Sequence, residues 1–71
     1  MARIVQARDR FKEGQLVQFN AHADEKNVSR KKSRTGVVIR IRDEWIIEVL
    51  LDGYKWPQSF HHSFFDPLEN V

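Results

Sequence analysis

Apolar and polar residues alternate over three stretches of the chain, with the period of two that is typical of half-buried β-strands. In the first stretch, EGQLVQFN, which follows a turn at Gly14, Val17 and Phe19 share one face. The second stretch starts at Gly36, and its predicted inner residues are Val37, Ile39 and Ile41. The inner residues predicted for the third stretch are Trp45, Ile47, Val49 and Leu51. The pattern therefore predicts at least three short strands that each bury one face.

The turns between these stretches predict how the strands pair. A three-residue loop at residues 42–44 keeps the apolar faces of the second and third strands together, whereas a two-residue turn would mix them. Asp52 and Gly53 have the chemistry of a tight type I′ hairpin, which would bring Val49 opposite Trp56. We accordingly expect three aromatic residues in the core or at its rim, and not on a stacking surface. They are Trp45, Tyr54 and Trp56.

The two ends of the chain are less regular. Residues 1–10 fit a short helix or an extended arm equally well. Pro57 removes a donor from the sheet and is expected to end the preceding strand. The stretch SFHHSFFDPLENV predicts a turn or a single helical turn, capped by Ser59 or Ser63, followed by a last strand around residues 68–71.

The pieces EGQLV, TGVVIRI, IIEVLLDG and FFDPLENV, in this order, resemble the SH3-like barrel, the layout shared by KOW and Tudor-type modules. The resemblance is one of layout and spans residues 11–71. It implies an all-β fold, namely a small five-stranded SH3-like barrel with a long basic loop between strands 1 and 2 and a short helical turn before the last strand. Members of this fold usually act by binding, and the 71 residues are expected to form one domain.

Charge is unevenly distributed along the chain, although the formal net charge is only +2. Residues 1–36 contain nine Lys or Arg against four Asp or Glu, a net +5, and residues 37–71 contain three against six, a net −3. Such a polarised molecule can attract a polyanion or an acidic protein. We expect the loop at residues 20–35 to be mobile, because it contains almost nothing to bury.

The candidate binding residues lie in this loop and on the strand that follows it. Side chains suited to phosphate contacts are supplied by Arg30, Lys31, Lys32 and Arg34, and the basic stripe is extended by Arg40 and Arg42. Aromatic residues that would add base stacking if they faced outwards are Phe60, Phe64 and Phe65. The competing interpretation is that one of Phe64 and Phe65 plugs the open end of the barrel. Ile46 and Leu50, on the outer face of the third strand, would be covered either by the N-terminal arm or by a second subunit, so the pattern allows a homo-oligomer.

Several other classes of function are disfavoured. The chain has no cysteine, which removes disulfides and thiolate zinc sites and makes a cytoplasmic location the default expectation. His61 and His62 are adjacent and diverge on either a helix or a strand, so we expect no metal and no other cofactor. No nucleophile motif is present and a barrel of this size has no enclosing pocket, so we expect no enzyme. The longest apolar runs are far too short to span a membrane.

Two binding functions remain open. The first is a module that contacts nucleic acid, DNA or RNA, or a nucleoprotein through the basic residues. The second is a protein-docking adaptor or accessory subunit whose basic loop meets an acidic partner. An origin in a phage or mobile element would suit either function.

Overall fold

The computed structural model describes residues 4–68, most of whose regular structure is β-strand. The five strands are β1 (Leu16–Phe19), β2 (Thr35–Ile41), β3 (Ile46–Leu51), β4 (Gln58–His61) and β5 (Phe65–Pro67). The helices are α1 (Ala7–Arg10), α2 (Ala21–Glu25) and a 3₁₀ helix at His62–Phe64. The strands form one antiparallel sheet in the order β4-β3-β2-β1-β5, and no pairing joins β4 to β5 within residues 4–68. The predicted all-β class is confirmed, and the sheet is open.

Strands β1 and β3 bury the faces that their alternation predicts. Val17 and Phe19 are buried on β1. On β3 the buried residues are Ile47, Val49 and Leu51. These apolar side chains line the same side of the sheet, because Gly36 of β2 pairs with Val17 on one side and with Leu51 on the other.

Strand β2 departs from its predicted face. Val38 is fully buried, whereas Ile39, which was predicted to point inwards, is 42% exposed. The register shifts between Val38 and Arg40, so Ile39 is the extra residue of a β-bulge. The bulge reverses the alternation and returns Ile41 to a partly buried position opposite Ile47. The predicted register between β2 and β3, in which Ile39 shares the inner face with Val37 and Ile41, is therefore wrong.

The inner face of β2 begins at Gly36, one residue earlier than predicted, and a side chain would not fit at this position. A Cβ at this position would lie 2.6 Å from the carbonyl oxygen of Leu50 and 2.9 Å from the Cα of Leu51. Both are backbone atoms that only a shift of the strand would move. The absence of a side chain thus allows β2 and β3 to approach closely at this end of the sheet.

The connection between β3 and β4 is longer than the predicted tight hairpin. Gly53 has φ +84°, but Asp52 does not share a positive φ, so the turn is not type I′. Strand β4 starts at Gln58, which pairs with Val49, and the connection takes up residues 52–57. Trp56 therefore lies in the connection, where it is 77% exposed, and its predicted inward position is wrong.

The other two aromatic residues predicted to face the core differ from each other. Tyr54 is half-buried against the core, in agreement with its predicted place at the rim. Trp45 is 39% exposed, because the turn that precedes β3 includes it. That turn is held by the Asp43 carboxylate, which accepts hydrogen bonds from the backbone N–H groups of Trp45 at 2.8 Å and Ile46 at 2.9 Å. The pKa of Asp43 is lowered by these two bonds.

Near the ends of the described chain, the predicted helical turn is the 3₁₀ helix. Its N-cap is His61, whose ring nitrogen accepts from the N–H of Ser63 at 3.2 Å, and neither Ser59 nor Ser63 supplies the cap. Strand β5 follows this helix directly, and most of the range predicted for the last strand, residues 69–71, lies outside the described residues. Of the two alternatives for the N-terminal segment, the structure has the helix, α1, while residues 1–3 also lie outside the described part.

Three phenylalanine rings form the centre of the core. The Phe19 and Phe65 rings stack with centroids 4.6 Å apart, and the Phe60 ring meets both edge-on at 5.5 and 5.2 Å. The buried apolar residues of the described part of the chain are Ala7, Phe11, Val17, Phe19, Ala23, Val38, Ile47, Val49, Leu51, Phe60 and Phe65. Among residues 4–68, no helix has both the length and the apolar composition needed to cross a bilayer.

Candidate functional site

The segment between β1 and β2 contains more structure than the sequence predicts. Asn20 caps helix α2 by accepting from the N–H of Ala23 at 3.1 Å, and its amide donates to the carbonyl of Ser63 at 2.9 Å. Ala23 is fully buried and Val28 packs against the core. The segment therefore has apolar anchors of its own, which corrects the expectation that it buries almost nothing. Its mobility stays a prediction.

Arg34, one of the predicted phosphate-binding residues, already has an anionic partner. Its guanidinium forms two hydrogen bonds with the Asp24 carboxylate, at 2.8 and 3.2 Å, and donates to the carbonyl of Phe19 at 3.3 Å. The same carboxylate accepts from the hydroxyl of Ser29. These hydrogen bonds, first from Arg34 and then from Ser29, lower the pKa of Asp24. Arg34 thus ties α2 to the start of β2.

Arg40 and Arg42 are also engaged by other side chains. Arg40 donates to the Glu48 carboxylate at 2.8 Å, and the Arg42 guanidinium lies 3.8 Å from the same carboxylate and donates to the Ser59 hydroxyl at 3.2 Å. Arg40 is six residues along the chain from Arg34, which corresponds to roughly 20 Å of extended strand. The six predicted cations therefore do not form one continuous stripe.

Of the remaining predicted cations, Lys32 lies at the end of the sheet where β2 begins and β3 ends, and Arg30 and Lys31 directly precede it in the chain. Arg30, Lys31 and Lys32 are exposed, and none of them forms an ion pair within residues 4–68. The backbone N–H of Lys32 donates to the hydroxyl of Tyr54 at 3.2 Å, and its ammonium lies 5.4 Å from the centre of the Tyr54 ring. Tyr54 thereby joins the loop before β2 to the connection after β3.

This contact adds two further residues to the surface. Lys55 and Trp56, the residues after Tyr54, are both exposed. We call this surface the basic end, and its members are Arg30, Lys31, Lys32, Tyr54, Lys55 and Trp56. Asp52 also lies here, with its carboxylate accepting from the hydroxyl of Thr35 at 2.6 Å. The basic end therefore has a surplus of positive charge next to an exposed indole.

The three phenylalanines predicted as stacking residues are all elsewhere. Phe60 and Phe65 are buried in the core, where a base has no access to their rings. Phe64 is partly buried, and its ring stacks on the His22 ring with centroids 5.1 Å apart. The burial of Phe65 agrees with the competing interpretation that one of the last two phenylalanines is internal.

The sequence does not predict Lys55 and Trp56 as surface residues, because Asp52 and Gly53 have the chemistry of a tight hairpin. A six-residue connection leaves both side chains outside the sheet, whereas a two-residue turn places them in a strand. The Trp56-Pro57 dipeptide was the available signal, since proline disfavours a paired strand and its preceding residue often lies in a loop.

The outer face of the sheet has an apolar row that runs across three strands. Leu16 pairs with Val37, and Val37 pairs with Leu50, so the three side chains are neighbours on adjacent strands. Leu16 is 41% exposed, and Val37 and Leu50 are partly buried. Ile46, the other residue predicted for an oligomer contact, is partly buried and pairs with His61. The homo-oligomer stays a prediction.

Neither a surface depression nor a metal-binding cluster among the described residues offers a better candidate site. A surface depression of about 440 Å³ runs along residues 8–15, but its charges are mixed, with Arg8 and Lys12 next to Asp9 and Glu13. Among residues 4–68, no three His, Asp or Glu side chains converge as a metal site would require. The basic end is the place where a surplus of positive charge and an exposed aromatic ring coincide.

Comparisons with protein-family models, with curated proteins and with solved structures found no match for this chain.

Proposed function

We propose that this protein is a non-catalytic binding module whose basic end contacts the phosphate backbone of a nucleic acid. The observation that carries the proposal is the group of four exposed cations, Arg30, Lys31, Lys32 and Lys55, at one end of the sheet. Within residues 4–68 no carboxylate forms an ion pair with any of them. Cations that the fold does not use are available to replace the counterions of a polyanion.

The strand order supports the SH3-like class as the finer description of the fold. In the sheet β4-β3-β2-β1-β5, strand β1 lies between β2 and β5, and the 3₁₀ helix connects the two edge strands. This strand order and the helical turn before β5 are what support the proposal of an SH3-like layout. Proteins of this layout present loops at one end of the sheet to their ligands, which suits the position of the basic end.

A salt titration tests the proposed function. If the four cations each neutralise one phosphate, the logarithm of the binding constant should fall against the logarithm of salt concentration with a slope of about −3 on a single strand. The combined variant Arg30→Ser, Lys31→Ser, Lys32→Ser should reduce the slope to about −1 and weaken binding to all sequences alike. The measurement is fluorescence anisotropy with a labelled ten-nucleotide oligothymidine and with duplex DNA.

The chain supplies a control with the same change in charge. Arg8, Lys12 and Lys26 are also exposed but lie outside the basic end. Replacing these three by Ser should leave the slope close to that of the parent. Equal losses in both triple variants would mean that net charge alone governs binding, and the absence of binding below about 100 µM at low salt would refute the proposal.

An acidic protein is the alternative partner, and the same experiment separates it from nucleic acid. A polyglutamate peptide with ten carboxylates has a charge similar to that of the oligonucleotide but no bases and no phosphates. We expect it to bind more weakly than oligothymidine. A polyglutamate affinity equal to or above that of the oligonucleotide would favour the acidic-protein partner.

A further inference from the structure

Trp56 is unusual because a large apolar ring is presented to solvent by a well-anchored connection. Its exposed fraction of 77% exceeds the 39% of Trp45, the other tryptophan. Tryptophan side chains are on average among the more buried in proteins, and the indole of Trp56 forgoes most of the stabilisation that burial would give it. The fold therefore gives no reason for a tryptophan at this position.

The backbone on both sides of Trp56 is fixed by hydrogen bonds. Before it, the N–H of Tyr54 donates to the carbonyl of Leu51 at 3.1 Å, and the N–H of Asp52 donates to the carbonyl of Thr35 at 3.0 Å. After it, Pro57 restricts the backbone and Gln58 is already paired in strand β4. The ring is thus exposed although the chain that carries it is held in place.

Two cations are linked to the segment that carries this ring. Lys55 precedes Trp56 directly, and Lys32 contacts Tyr54, two residues before it, through the ring and through the hydroxyl. A ligand that spans the basic end meets positive charge and an aromatic face together. This combination is found where proteins bind single strands, whose phosphates and unstacked bases are both accessible.

A duplex could contact the cations of the basic end but not stack a base on Trp56. Its phosphates can contact the cations, but its base faces are stacked on each other and leave no face for an indole. We therefore infer that the basic end binds single-stranded nucleic acid, with a base stacked on Trp56 and phosphates on the neighbouring cations. This inference rests on the proposed function and adds the class of nucleic acid to it.

Substitution of Trp56 should separate single strands from duplexes. Stacking of one base on an aromatic ring changes affinity by about 5- to 150-fold. We expect Trp56→Ala to weaken binding to ten-nucleotide oligothymidine within this range, Trp56→Phe to weaken it less, and neither to change duplex affinity more than about twofold. An oligonucleotide of abasic sites keeps the phosphates but lacks the bases, so the parent should bind it more weakly than oligothymidine, whereas Trp56→Ala should bind both equally.

Fluorescence provides a second measurement that keeps the indole of Trp56 intact. In the variant Trp45→Phe the emission comes from Trp56 alone and should be quenched by oligothymidine. In the variant Trp56→Phe the emission comes from Trp45, whose ring is flanked by those of His61 and His62 at 6.4 Å, and quenching should be small.

The outcomes distinguish this inference from the proposed function. Salt-dependent binding that is lost in the Arg30, Lys31, Lys32 triple variant but unchanged in Trp56→Ala would overturn the inference and leave the proposed function standing. The same conclusion would follow if Trp56→Ala weakened single strands and duplexes equally, or if the parent did not distinguish abasic from normal oligonucleotides. No binding to any nucleic acid would overturn both.

Discussion

The basic end and the surroundings of Arg10 both contain cationic side chains, but they differ in what contacts the cations. Arg10 donates to the carbonyl of His62 at 2.8 Å and to that of Phe65 at 2.7 Å, lies 3.3 Å from the Asp66 carboxylate and sits over the Phe11 ring. Its side chain is only 24% exposed. The cations of the basic end are exposed and have no such anionic contacts in the described part of the chain.

This difference shows that a basic residue has to be judged by its contacts and not by its charge. Arg10 connects helix α1 to the 3₁₀ helix and β5, and Arg34 and Arg40 connect other elements through Asp24 and Glu48. Their donors are already used by the fold. The cations left for a ligand are those whose charge no carboxylate of the described residues neutralises.

The largest expected effect is on stability, and it contrasts an aromatic residue of the core with one of the basic end. Phe65→Ala should destabilise the protein by about 3–5 kcal/mol, because it opens a cavity beneath Phe19 and Phe60. Such a loss is comparable with the total stability of a small domain, so the variant should be largely unfolded. Circular dichroism during thermal unfolding gives the measurement.

Trp56→Ala is the matched control for this prediction. Its free energy of unfolding should stay within about 0.5 kcal/mol of the parent value, since most of the ring is exposed. Unfolding of this variant would mean that the indole packs in the core and that the comparison of the two aromatic residues is wrong.

A smaller effect is expected when the two kinds of cation are compared directly. Arg10→Ala removes hydrogen bonds from two backbone carbonyls and should cost about 1–3 kcal/mol. Arg10→Ala should therefore lower the urea midpoint and leave oligonucleotide binding unchanged. Lys31→Ala should leave the urea midpoint unchanged and weaken oligonucleotide binding. A loss of stability in Lys31→Ala would show that the basic end has a structural role.

The smallest predicted effect is a pH dependence of stability that arises near Arg10. His62 is buried, and the Nη1 of Arg10 lies 3.1 Å from its Nδ1, an atom that has to accept because arginine only donates. Burial lowers the pKa of His62 from its ordinary 6.5, with further lowering by the charges of His61 and Arg10 and an opposing contribution from the Val5 carbonyl. The fold therefore favours the neutral ring.

The sign of the effect follows from proton binding in the two states. Below pH 6.5 the unfolded chain binds a proton at His62 that the folded chain does not bind until the pH reaches the lower folded pKa. The stability that His62 contributes is thus fully present above pH 6.5. It is lost as the pH falls from 6.5 towards the lower pKa of His62 in the folded state. Urea unfolding between pH 7 and pH 5 should show this slope in the parent and a flatter one in His62→Gln. A parent stability that rose on acidification would contradict the assignment.

Much of the fold could be predicted from the sequence because two strands alternate regularly. The faces of β1 and β3 and the helical turn before β5 are as the pattern indicates, apart from Trp45. The bulge at Ile39 could not be predicted, because one unpaired residue leaves no mark on the pattern of apolar residues. It is also what places Arg40 opposite Glu48, so the missed bulge concealed the ion pair.

Only the part of the candidate site that is continuous in the sequence could be predicted. The run from Arg30 to Lys32 is visible in the sequence as a cluster of charge. The pairing of Arg34 with Asp24 depends on the position of α2, and the exposure of Trp56 depends on the length of the connection before β4. Both are consequences of the three-dimensional arrangement, which local patterns do not contain.

The most direct test of the central claim is to map where an oligonucleotide contacts the protein. Backbone amide chemical shifts would be recorded by NMR while ten-nucleotide oligothymidine is added at low salt. We predict that the largest changes fall within residues 30–32 and 52–56, together with the indole N–H of Trp56, and that Arg10, Arg40 and Arg42 change little. The largest changes around Arg10, or on the outer face at Leu16 and Leu50, would contradict the assignment of binding to the basic end.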